Sequence, residues 1–207
     1  MDKKATNKAP GGVSRRDFMK GIGSGAIGTA VLAPLRAQTI ATKKGRVPVY
    51  ERKTITVTVN GKRIDLAVEA NETLLDALRD RLDLTGAKKV CDRGECGGCT
   101  VLLDGAPVYA CMTLAVRADG KSVKTVEGLA EGAKLHPVQA AFIEKDGYQC
   151  GFCTPGFLMT TSAFLAKNPA PTLDEIKQAL SGNLCRCGNY AKIYQAVDAA
   201  AKKMKGA

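Results

Sequence analysis

Residues 91–111 read CDRGECGGCTVLLDGAPVYAC, and this stretch decides how the chain is read. Its cysteines, Cys91, Cys96, Cys99 and Cys111, are spaced C-x4-C-x2-C-x11-C. C-x4-C-x2-C with a more distant fourth cysteine is a ligand spacing for one [2Fe–2S] cluster. A second set follows, Cys150, Cys153, Cys185 and Cys187, spaced C-x2-C-x31-C-x-C. The 8 cysteines are used up by these two sets of four. A chain that can hold two redox clusters points to electron transfer.

The residues between the first three cysteines fit that use. Gly94, Gly97 and Gly98 let the backbone wrap closely and turn its amides toward the sulfurs of a cluster. Zinc and disulfides are the competing readings. C-x4-C-x2-C fits zinc poorly, because zinc ribbons use two C-x2-C pairs at longer separation. The second set, taken alone, serves zinc as well as a cluster, since zinc asks only for four convergent sulfurs.

Working outward, Thr54 to Val59 is rich in β-branched residues and predicts a strand. Asn60-Gly61 predicts a two-residue hairpin, and Arg63 to Val68 the return strand. Asn71 or Thr73 can cap a helix carrying Leu74, Leu75, Leu78 and Leu82. Beyond the cysteine loop, Thr100 to Leu103, Asp104-Gly105 and Pro107 to Ala110 form a second hairpin ending at Cys111, and Ser122 to Val126 a last strand. Helices are expected from His136 to Lys145, from Pro155 to Lys167, from the Thr172–Glu175 capping box to a stop near Gly182, and from Tyr190 to Met204. The expected fold class is α+β: at 54–127 a small unit that resembles the β-grasp fold of plant-type ferredoxins, then an all-α four-helix domain at 128–207 that carries the second cysteine set.

The net charge of +11 is concentrated at the front, with residues 1–50 carrying +8 of it. No basic stripe interleaved with aromatics follows, so nucleic acid is not an expected partner. The front end runs from Lys3, Lys4 and Lys8 through SRRDFMK (14–20) into GIGSGAIGTAVLAPL (21–35). That apolar run is shorter than the ~20 residues a membrane-spanning helix needs. A basic region, Arg15-Arg16 and a short apolar segment read as a twin-arginine signal peptide over 1–37, followed by a linker at 38–53. The expected location is the periplasm, with the twin-arginine translocase as a partner during export. Eight cysteines in an exported chain ordinarily imply disulfides. The twin-arginine route removes the conflict, because it carries proteins already folded around their cofactors. Gly23 to Gly28 matches G-x-G-x-x-G, but no Asp or Glu lies between Asp17 and Glu51, so a dinucleotide fingerprint is rejected. His136 is the only histidine. A Rieske centre needs two, so His136 is read as structural. No catalytic set of residues is present in the sequence.

Together, CDRGECGGCTVLLDG (91–105), CMTL (111–114), TVEGL (125–129), LHPVQAAF (135–142), QCGFCTPG (149–156) and SGNLCRCGNY (181–190) resemble the small iron–sulfur subunit of the xanthine oxidase family of molybdenum hydroxylases. With the leader, the resemblance is greatest to periplasmic, aldehyde-oxidising members. It implies two [2Fe–2S] clusters, on Cys91, Cys96, Cys99 and Cys111 and on Cys150, Cys153, Cys185 and Cys187. It also implies a large subunit carrying a molybdenum–molybdopterin cofactor, whose pterin Gln149 touches, and a FAD-binding subunit or a cytochrome-type acceptor. Electrons would pass from molybdenum through the helical-domain cluster to the ferredoxin-type cluster and on to the acceptor. Related hydroxylases of N-heterocycles, and a free-standing ferredoxin-like carrier, are the alternatives. A second cluster domain with nothing to dock on would be superfluous in a free carrier.

Overall fold

The computed structural model describes residues 52–205. The twin-arginine signal and most of the linker expected from the sequence lie outside the described residues.

β1 (Lys53–Val59) and β2 (Lys62–Val68) form the first hairpin, with Val59 opposite Lys62. Asn60 and Gly61 take φ of 49° and 81°, as a two-residue turn of this kind requires. Alternation along β1 buries Ile55, Val57 and Val59 and leaves its threonines toward the outside. Thr73, not Asn71, caps the next helix, its hydroxyl accepting from the Asp76 amide at 3.1 Å. That helix is shorter than its leucine pattern predicts. α1 covers only Leu74–Asp76 and continues as one wider, π-type turn over Ala77–Arg81.

The second hairpin pairs β3 (Thr100–Leu103) with β4 (Ala106–Tyr109). Asp104 and Gly105 again have positive φ at its turn. β4 stops one residue earlier than expected, and Cys111 sits in a 3-10 turn, Ala110–Met112, instead of at the strand end. β5 is only Ser122–Lys124, and Val126–Gly128 is a further 3-10 turn. The sheet order is β2-β1-β5-β3-β4, with β5 parallel to β1 and antiparallel to β3. β3 is buried on both faces. Val101 points into the sheet–helix core, and Leu102 joins the core of the helical half. That is why it reads as an unbroken apolar run.

Asn60 ties the first turn to the connector between the halves. It donates to the Thr125 hydroxyl at 2.9 Å and accepts from the Thr125 amide at 2.9 Å. Glu127 extends the tie, accepting from the Thr125 hydroxyl at 2.6 Å and from the Gly86 amide at 2.7 Å.

The helical half comprises α2 (Pro137–Glu144), α3 (Thr154–Lys167), α4 (Leu173–Ala179) and α5 (Tyr190–Lys205). Its core is built on Phe142, Phe157, Met159, Leu165, Ile176 and Ile193. Thr172 and Glu175 form the predicted capping box. α4 ends at Ala179, with Leu180 as its cap, before the glycine expected as its stop signal. Among the described residues no helix is long and apolar enough to cross a membrane.

His136 caps α2. Its Nδ1 accepts from the Val138 amide at 3.3 Å, and Gln139 Oε1 accepts from the His136 amide at 2.9 Å. Burial holds its pKa below the ordinary histidine value. Lys124 pushes in the same direction and Glu131 opposes it. Protonation at Nδ1 would remove the cap acceptor. The contribution is therefore complete above the unfolded value near 6.5 and is lost as pH falls through the lowered folded value. Such a cap contributes about 1 kcal/mol. His136→Asn keeps an acceptor that does not titrate, so the loss of melting temperature between pH 7.5 and pH 5 is expected to shrink in this variant. An unchanged pH dependence would remove His136 from the account.

Candidate metal centres

The cysteine loop 91–99 leaves α1 and enters β3. Two contacts hold its base: the Arg79 guanidinium donates to the Ala87 carbonyl at 2.8 Å, and the Lys88 amide to that of Gly98 at 2.9 Å. Gly94 and Gly97 have φ of 79° and 68°, where an L side chain is strained. Gly98 does not need positive φ. A Cβ there would press on Val90 at 3.2 Å and approach the Cys96 sulfur at 3.7 Å. At Gly97 a Cβ would meet Asn183 at 2.5 Å and the Gly182 carbonyl at 2.6 Å, so this glycine also serves the contact with the helical half.

Within this loop the cysteines fall into pairs. Cys91 lies beside Cys96, whose thiol acts on it, and Cys99 stands 3.4 Å from Cys111 across the mouth of the second hairpin. The second set does the same. Cys150 is paired with Cys187 and Cys153 with Cys185, from the α2–α3 and α4–α5 connections. Each set has an outer pair, Cys91/Cys96 and Cys150/Cys187, and a more enclosed pair, Cys99/Cys111 and Cys153/Cys185. Cys185 shares its burial with Tyr190, whose hydroxyl accepts from the Cys185 amide at 2.9 Å.

The electrostatics follow the same division. Burial raises Cys91, but the amides of Arg93, Glu95 and Cys96 and the Cys96 thiol outweigh it and bring it down to about 7. The Glu95 amide lies 3.3 Å from the Cys91 sulfur. The Phe152 amide and the Cys187 thiol lower Cys150. Burial pushes Cys99 up to about 12, with the Cys111 amide opposing the rise and the Cys111 thiol adding to it, and Cys153 up to about 12, aided by Cys185. Enclosed thiols like these are held as thiolates only with a metal to offset the charge.

Two plus two is the ligand pattern of a two-iron cluster, in which each iron takes two protein ligands. All eight cysteines are free thiols. The donor sets therefore fit [2Fe–2S] clusters.

The two sets also adjoin. The Leu184 amide donates to the Cys96 carbonyl at 3.0 Å. Asn183, which is buried, donates to the Gly97 carbonyl at 3.2 Å. Cys96, Cys150 and Cys153 line one cavity of about 90 Å³ walled by Val90, Phe152 and Leu184. Gln149 is exposed beside Cys150, at the end of the turn that follows α2. The sequence carries no sign of the Leu184 and Asn183 contacts. The one signal it offers is the density of small residues, Gly97, Gly156 and Gly182, which meet at one interface.

Comparison with known proteins agrees with this architecture. Residues 57–128 match the family described as "2Fe-2S iron-sulfur cluster binding domain", and residues 125–198 the family described as "[2Fe-2S] binding domain". The aldehyde oxidoreductase iron-sulfur-binding subunit PaoA of Escherichia coli K12 is 42% identical over 208 residues, covering 93% of this chain and 90% of its own. The nicotine 6-hydroxylase small subunit of Paenarthrobacter nicotinovorans is 53% identical over 147 residues, covering 71% and 88%. Quinoline 2-oxidoreductase from Pseudomonas putida 86 contains a chain that superposes with a TM-score of 0.72 at 47% identity, covering 75% of this chain and 98% of that one. With two adjoining four-cysteine sets on this fold, the chain belongs to the [2Fe–2S] small subunits of the xanthine oxidase family of molybdenum hydroxylases.

Proposed function

We propose that this chain is the electron-transfer subunit of a periplasmic aldehyde oxidoreductase, exported folded by the twin-arginine route. Cys91, Cys96, Cys99 and Cys111 hold one cluster, and Cys150, Cys153, Cys185 and Cys187 the other. When bound, each cluster takes up and releases one electron at a time. The chain's residues fix the paired sulfurs, point amides at Cys91 and Cys150, keep water from Cys99, Cys111 and Cys185, and join the two sets through the Leu184–Cys96 hydrogen bond.

One observation carries the assignment of the helical set to the molybdenum side. Cys150 and Cys187 are exposed, and around them Phe152 and Leu184 are each 53% exposed. Large apolar side chains flanking an open ligand pair need a partner to cover them. The large molybdenum–molybdopterin subunit fills that role, with Gln149 reaching its pterin. Electrons then leave by the ferredoxin-type set toward a FAD-binding subunit or a cytochrome-type acceptor.

Support for the aldehyde reading comes from the Escherichia coli relative. Its match covers 93% of this chain, more than residues 52–207 can supply, and so runs into the leader. The nicotine 6-hydroxylase relative favours a second reading, an N-heterocycle hydroxylase, because it is 53% identical over 147 residues, a span long enough to hold both cysteine sets. Steady-state oxidation of aromatic aldehydes against N-heterocycles by the purified complex separates the two.

The cluster assignment predicts about four irons and four labile sulfides per chain, with two distinguishable EPR signals on reduction. Stoichiometric zinc with a single signal would refute it. Export is tested by Arg15→Lys with Arg16→Lys. Charge is kept, but the pair is read by a receptor, so activity is expected to move to the cytoplasmic fraction. Unchanged periplasmic activity would count against the signal.

A further inference from the structure

Tyr109 closes β4, two residues before Cys111, and packs against the sheet–helix core. Its hydroxyl donates to the Gly182 carbonyl at 3.1 Å, 73 residues further along the chain. Gly182 opens a run of three residues that each hold the first half: Gly182 through Tyr109, Asn183 through the Gly97 carbonyl, and Leu184 through the Cys96 carbonyl. Cys185 follows directly.

Gly182 is not among the glycines with positive φ, so backbone freedom does not explain it. Space does. A Cβ there would overlap the Tyr109 hydroxyl, and among the described residues, its two chain neighbours aside, the next atom it would meet is the Tyr109 Cζ at 3.6 Å. The glycine makes room for the hydroxyl.

We infer that Tyr109 is a positioning residue for electron passage between the two ligand sets, its bond to Gly182 keeping the Leu184 amide on the Cys96 carbonyl. This rests on the reading that the two cysteine sets hold the two clusters. One electron leaves the helical set and one arrives at the ferredoxin-type set. Tyr109 itself is neither oxidised nor deprotonated. Its task is to hold residues 182–184 in register, so that Cys96 and Cys185 stay joined by one hydrogen bond and a short covalent path.

The test uses the assembled complex with Tyr109→Phe, Gly182→Ala and the double variant. Iron content and EPR are measured first. Amide exchange of residues 182–185 is then followed by mass spectrometry, and the rate of reduction of the ferredoxin-type cluster by rapid mixing with substrate. Tyr109→Phe keeps the ring. It is expected to retain both EPR signals and the substrate KM, to speed exchange in that segment about fivefold, as loss of one hydrogen bond implies, and to slow reduction of the first cluster severalfold. Gly182→Ala should do at least as much in the wild-type background. It should add almost nothing in the Tyr109→Phe background, where its Cβ meets only the ring carbon. Equal damage from Gly182→Ala in both backgrounds would overturn the inference. So would unchanged exchange and reduction in a fully loaded Tyr109→Phe complex, or loss of iron from that variant, which would make Tyr109 a structural residue of the loop. Absence of the two clusters from the unaltered complex would instead overturn the underlying cluster assignment.

Discussion

Cys153→Ser is expected to lower the iron content from about four to about two per chain, with the ferredoxin-type EPR signal intact. A hydroxyl is a hard ligand in place of a soft thiolate, and Cys153 belongs to the more enclosed pair of its set. Burial already holds the Cys153 thiol near 12, so the site depends on iron to keep its charge. The helical half should also lose several kcal/mol, because binding free energy in a small metal domain is folding free energy. The first set should survive, since its four ligands all lie in residues 91–111 on a different core. In the assembled complex, substrate should then no longer reduce the first cluster at the normal rate in rapid mixing. A wild-type rate would mean that electrons bypass the helical set.

Gly156→Ala is expected to destabilise the protein by about 2 kcal/mol, which is within the cost of overpacking a well-packed site. On an isolated helix the same change would stabilise by about 1 kcal/mol, since alanine is the better helix former. The sign decides between local and tertiary control. Gly156 lies in the first turn of α3, and a Cβ there would overlap the Gly97 carbonyl oxygen and crowd the Asn183 amide at 3.2 Å. Those groups hydrogen-bond one another, so the added methyl must break or shift the contact between the halves. Thermal unfolding of the loaded protein reads the result. A raised melting temperature would mean that the two halves do not meet at Gly97.

What is legible in the residues alone is local chemistry. Asn60-Gly61 and Asp104-Gly105 fix their turns through their own φ preferences, and Thr172 with Glu175 forms its capping box within four residues. Cysteine spacing is equally local, which is why both four-cysteine sets stand out along the chain. Contact between distant segments leaves no such mark. Gly182 reads as a helix stop, yet α4 ends at Ala179, and the glycine is there to make room for Tyr109. Gly97 reads as a flexible turn residue, and it is also a seat for Asn183. The 3-10 turn that carries Cys111 and the π-type turn after Asp76 are likewise unsignalled. For the second of these the structure offers no evident cause, because the leucines it buries would serve a regular helix as well.

Among the described residues, the strand order β2-β1-β5-β3-β4 leaves β2 and β4 as the margins of the sheet. Both are guarded. Pro107 removes one amide from β4, and β2 presents Lys62, Arg63 and Asp65 at exposed positions. The row of backbone donors is broken at β4 and flanked by charge at β2, so each margin is a poorer template for a stray strand. Growth by β-augmentation, a common route from a folded sheet to a fibril, is disfavoured at both ends. A chain whose sheet margins are guarded in this way can be crowded among its own copies with less risk of polymerising.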